Sequence, residues 1–125
     1  MNIVVKQLRT KPFEVKKSTK NLKKTYRMQL AMATIQDVAD DEKSDGITVL
    51  KRQMELQDTI IDYTVDLLGL SEKEKDKLEE LEFDEAVDIS IYISMRVTGM
   101  TDKEIEESRA EDEEDEGLDQ AQPSK

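Results

Sequence analysis

The run Ile47–Leu68, ITVLKRQMELQDTIIDYTVDLL, is the stretch around which the other segments arrange themselves. At 3.6 residues per turn, Ile47, Leu50, Met54, Ile61, Val65 and Leu68 share one stripe, and Val49, Leu56, Ile60, Tyr63 and Leu67 share its neighbour. Only one narrow face, with Lys51, Glu55, Asp58, Asp62 and Asp66, is strongly charged. A helix this apolar needs cover on most of its sides, so it is either the centre of a helical bundle or half of a partner interface. Ser44, Asp45 and Gly46 mark its start, and Gly69 permits a left-handed closing residue.

Downstream, Ser71 and Glu74 fit a capping box, and a short helix is expected to about Leu81 with Leu78 and Leu81 on its buried side. Between Phe83 and Met100 two local rules conflict. Ile89, Ile91, Ile93, Met95 and Val97 alternate with Ser90, Tyr92, Ser94 and Arg96, the period of a half-buried strand. Against that, Asp84 suits an N-cap, Glu85 a first turn and Gly99 a stop, and the interval has a helix's length. The expectation is a helix packed on the Ile47–Leu68 helix. Thr101 and Glu104 then form a second capping box, opening a helix with little but Ile105 to bury.

Upstream, a helix is expected from Thr19 to Asp41. Met28, Ala31, Met32, Ile35, Val38 and Ala39 form its core stripe, and Leu22, Tyr26 and Leu30 a weaker stripe better suited to contact outside the monomer. The linker Asp40–Gly46 imitates a calcium loop at Asp41, Asp45 and Gly46. It has Lys43 and Arg52 where that loop needs oxygen ligands, so it reads as an acidic connection. Residues 1–18 read as a basic hairpin or arm: Ile3 and Val5, then Phe13 and Val15, alternate with polar residues around a turn from Arg9 to Pro12. Up to residue 27, Lys6, Arg9, Lys11, Lys16, Lys17, Lys20, Lys23, Lys24 and Arg27 face only Glu14. With no exposed aromatics between them, they read as a solvated edge rather than a nucleic-acid contact.

Residues 106–125 carry a run of acids with little to bury, and they are expected to be a disordered acidic tail that keeps the protein soluble. The expected organisation is therefore a mainly α protein: hairpin or arm 1–18, a bundle of four to five helices over 19–105, and the tail. Across its 125 residues the chain is 36% apolar, 39% charged and 4% aromatic, with a formal charge of −11. Neither cysteine nor histidine is present, which removes thiolate chemistry, disulfides, and the commonest general base and zinc ligand. The acids Glu79, Glu80, Glu82, Asp84 and Glu85 read as a solvated face. There is no glycine-rich phosphate loop and no nucleophile beside a base, so neither an enzyme nor a cofactor is expected. No membrane segment or export signal is visible, and a cytoplasmic life is the default.

The basic hairpin, the helical body, the phrase Val97-Thr98-Gly99-Met100-Thr101-Asp102-Lys103-Glu104-Ile105 after an apolar segment, and the acidic finish together resemble the tail assembly chaperones of long-tailed bacteriophages. The likeness of layout covers residues 3–107. It implies a protein of the host cytoplasm, absent from the mature virion. Its partner would be the long helical tape-measure protein, kept soluble until tail-tube subunits polymerise around it. It implies the family's short form, a frameshifted longer product being the one that recruits the tube subunit, and it allows weak homo-oligomers. The residues expected to meet the client or another copy are Tyr26, Leu30, Met54, Leu56, Tyr63, Tyr92 and Met95. The competing reading is a small acidic regulator that mimics nucleic acid and occupies a DNA-binding partner.

Overall fold

The computed structural model describes residues 1–40 and 45–110, without the side chains of 35–40. It consists of a two-stranded hairpin, β1 (Asn2–Ile3) and β2 (Phe13–Glu14), and helices α1 (Thr19–Asp40), α2 (Gly46–Leu68), α3 (Glu72–Glu80) and α4 (Phe83–Val97). A fifth helix, α5, covers 102–110 within the described residues. The chain is mainly helical, as the spacing of its apolar residues upstream of Phe83 predicts.

The strands pair antiparallel in the register Asn2↔Glu14 and Ile3↔Phe13. Such a short ladder cannot stand alone in water. It survives because Ile3, Val5, Leu8, Phe13 and Val15 are all buried in the same cluster as Met28, Ile60, Leu78 and Ile93. Arg9, expected as part of a solvated basic edge, closes the loop instead. Its Nε and Nη2 donate to the carbonyls of Lys11 and Pro12 at 3.0 and 3.1 Å. Its guanidinium stacks 3.7 Å from the Phe13 ring centroid and lies 3.6 Å from the Glu74 carboxylate, joining the hairpin to α3.

Helices α1 and α2 form an antiparallel pair. Lys24 meets Asp66 near one end, and Ala31, Thr34, Arg52 and Glu55 line a common recess further along. Between them lies a buried polar joint. Thr25 Oγ1 donates to the Asn21 carbonyl, which leaves the Tyr63 hydroxyl to donate to Thr25 at 2.7 Å. Burial pushes the Tyr63 phenol up, so it stays a neutral donor.

Helix α2 touches α1, α3 and α4, which makes it the centre of the bundle. Its ends are built as its sequence indicates. Asp45 accepts the N–H of Thr48 at 2.7 Å, and Gly69 closes the helix at φ 64°. The Ser71–Glu74 box is complete, with Ser71 Oγ accepting the Glu74 N–H and the Glu74 carboxylate accepting the Ser71 N–H at 3.0 Å.

The conflict over Phe83–Met100 resolves as a helix through its serines. Ala86, Ile89, Ser90, Ile93, Ser94 and Val97 are buried, the i, i+3, i+4, i+7 stripe of a helix. A strand would have put Ser90 and Ser94 on a polar face opposite the isoleucines. The helix buries both, because their hydroxyls donate to the carbonyls of Val87 and Ile91 at 2.7 Å and need no water. Asp84 is not the N-cap. The cap position is Glu82, without a side-chain cap bond, and Asp84 lies in the first turn. There its charge still complements the helix N-terminus, so its type fits the sequence pattern although its position is two residues later.

After Gly99, at φ 111°, Thr101 Oγ1 accepts the Glu104 N–H at 3.2 Å and opens α5. Ile105 is its buried anchor. The tail was expected to lose order from residue 106, but 106–110 are helical. Tertiary attachment of α5 outweighs the like charges there. Asp102 accepts from the Tyr92 hydroxyl and from Arg96 Nη1, the latter at 2.7 Å, which fastens α5 to α4. Residues 111–125 and the linker residues 41–44, which include Asp41 and Lys43 of the calcium-loop comparison, lie outside the described residues.

Three of these end-of-helix acids titrate below their ordinary ranges. The Thr48 hydrogen bonds lower Asp45, the Ser71 backbone bond leads in lowering Glu74, and the Tyr92 hydroxyl leads in lowering Asp102. A carboxylate whose folded pKa is depressed contributes stability that is whole above its unfolded pKa and is lost as pH falls through the folded value. Asp102→Asn should therefore lower Tm at pH 7. The gap from wild type should begin to shrink as pH drops below the ordinary Asp value of 3.8 and close as pH falls through the lower folded value. Paired thermal melts by circular dichroism check this; a gap unchanged at about pH 3 would mean that the Asp102 charge contributes nothing.

Candidate partner-binding surface

The stripe Ile47, Leu50, Met54, Ile61, Val65, Leu68 is not one surface. Leu68 is buried, and Ile61 and Val65 pack partly buried against the core. Ile47, Leu50 and Met54 are 67%, 61% and 65% exposed. The cause is helix length. At about 1.5 Å per residue α2 runs for about 34 Å and α4 for about 22 Å. The α3–α4 turn lies beside Gln57–Asp62, with Gln57, Asp58 and Ile61 sharing a cleft with Leu81 and Phe83. The first two turns of α2 therefore project beyond the layer that covers its second half.

On α1 the weaker stripe divides in the same way. Leu22 packs against the core, while Tyr26 and Leu30 are 51% and 67% exposed. Met28, by contrast, is buried and Met32 packs on the core, as expected of the main stripe.

The seven residues expected to face a partner are thus scattered. Tyr26, Leu30 and Met54 are exposed; Leu56 is half-buried against the core. Tyr63 is 6% exposed and its hydroxyl is used by Thr25, so its place is in the α1–α2 joint. Tyr92 is half-buried and holds Asp102, and Met95 lies half-buried on the flank of α4. Ile47 and Leu50 were assigned to the stripe but not to the partner surface. The signal that identifies them is length together with placement: α4 has 15 residues against the 23 of α2, and the α3–α4 turn sits beside Gln57–Asp62, so both helices serve the second half of α2.

Among the described residues no group of three acids is placed to hold a metal ion, and no helix is long and apolar enough to cross a membrane. No buried side-chain nitrogen or oxygen among them lacks a hydrogen-bond partner. What the surface offers is exposed apolar side chains on two long helices, Tyr26 and Leu30 on α1 and Ile47, Leu50 and Met54 on α2. The family model described as phage tail assembly chaperone proteins, TAC, matches residues 1–115, and the chain belongs to that family. Neither a curated protein nor a solved structure matches it.

Proposed function

We propose that this tail assembly chaperone binds the tape-measure protein in the host cytoplasm and keeps it soluble before the tail tube polymerises. The observation that carries the reading is the open half of the α2 stripe. Ile47, Leu50 and Met54 continue the helical phase of core residues yet lie uncovered, with Tyr26 and Leu30 exposed on the neighbouring helix. A long client made of amphipathic helices needs its apolar stripes covered by surfaces that tolerate many sequences. Helix faces that include a flexible methionine do that.

The experiment is co-expression with a tape-measure protein, followed by its soluble fraction and the mass of any complex by light scattering. Several copies of this chain on a soluble client are expected. A client that stays insoluble, or is soluble with none of this chain attached, would remove the proposal.

A further inference from the structure

Where the covered half of α2 meets the α3–α4 turn there is an open cleft of about 330 Å3. Ile61, Leu81 and Phe83 form its apolar floor, each only half-buried. Asp58, Asp62 and Glu79 stand exposed around it, and the turn adds exposed Glu80 and Glu82. Lys75 is the cation among the lining residues. The ion pairs among the described residues are Arg9–Glu74, Lys24–Asp66, Arg52–Glu55 and Arg96–Asp102, so none of these rim acids has a cation of the described residues within 4.0 Å. Met54 precedes Ile61 by two helical turns at the same phase, which leads the open stripe into the cleft over roughly 10 Å.

We infer that the cleft selects which client segments are held: amphipathic helices that seat one or two apolar side chains on Ile61, Leu81 and Phe83 and set Lys or Arg beside the acidic rim. The inference rests on the client-holding reading above. The cleft is at the small end of the ~300–1,000 Å3 range of binding pockets, so it suits anchor side chains, with the rest of a helix lying across the rim and along the stripe. Uncompensated acids beside an apolar floor attract cation-flanked segments and repel acid-flanked ones. The charge therefore discriminates between segments whose apolar pattern is the same.

Two fluorescein-labelled helical peptides test this, with one leucine pattern at i, i+3, i+4 and i+7 and either lysine or glutamate flanks. Binding to the full chain is read by anisotropy at about 50 and about 300 mM NaCl, where the screening length differs by more than twofold. The lysine-flanked peptide should bind about tenfold more tightly at the lower salt, and most of that advantage should vanish at the higher. The full-length variant Asp58→Asn/Asp62→Asn/Glu79→Gln changes only exposed side chains and should keep its circular dichroism. It should lose the advantage and retain the residual binding of both peptides.

Equal binding of the two peptides, or a lysine advantage that survives in the triple variant, would overturn the inference, the latter pointing to net charge alone. A change in the mass of the unliganded chain on making the triple variant would also overturn it, because a second copy would then fill the cleft. If the co-expressed client stays soluble with wild type and variant alike while the peptides are not distinguished, cleft selection fails and client holding stands. If wild type itself leaves the client insoluble, client holding fails, and the selection of client segments with it.

Discussion

Phe13→Ala should cost about 3–5 kcal/mol, the range for truncating a buried aromatic. Phe13 is fully buried, pairs with Ile3 across the hairpin and carries the Arg9 guanidinium on its ring. Its removal opens a void beneath the loop and frees the link from Arg9 to Glu74 at the same time. Small domains have only ~5–15 kcal/mol of total stability, so a large part of it should disappear. Urea denaturation followed by far-ultraviolet circular dichroism measures the change. A cost under about 1 kcal/mol, the scale of a surface change, would mean that the hairpin lies on the bundle without being part of its core.

The second large effect concerns function. Ile47, Leu50 and Met54 are exposed in the free chain, so replacing all three by serine removes no core contact and should change stability little. Against a client the loss is different in kind. Covering these side chains is worth roughly 1–2 kcal/mol each at the usual return on buried apolar area, or about 3–6 kcal/mol together. That corresponds to a drop in affinity of roughly a hundredfold to ten-thousandfold. Lys51→Ala within the same turns, which leaves the apolar surface intact, should be nearly silent.

Much of the fold could be read from the residues because local and tertiary demands agree. Asp45, Gly69 and the Ser71–Glu74 box are written in the chain and built in the structure, since capping satisfies backbone groups within a few residues of itself. The alternation of Ile89 to Val97 misleads because period counting treats serine as a surface residue. The hydroxyls of Ser90 and Ser94 are satisfied inside their own helix, which no periodicity shows. Ordering of 106–110 likewise depends on Tyr92 and Arg96 reaching Asp102, a contact between helices.

The candidate surface was less legible, for the same reason. Helical phase places Ile47 and Ile61 on one stripe, but only the lengths and placement of α3 and α4 determine which of them is covered. Tyr63 and Tyr26 look alike in sequence as polar-tipped apolar residues. Thr25 opposite Tyr63 draws one inward, and Tyr26 meets no such partner among the described residues.

The most direct measurement is the soluble fraction of the proposed client, a tape-measure protein, co-expressed with wild type or with the Ile47→Ser/Leu50→Ser/Met54→Ser variant, each chain's folding checked by circular dichroism. The account predicts a soluble, co-purifying client with wild type and a largely insoluble one with a folded variant. A client held equally well by both would contradict it, because the open half of α2 would then not be the surface that does the holding.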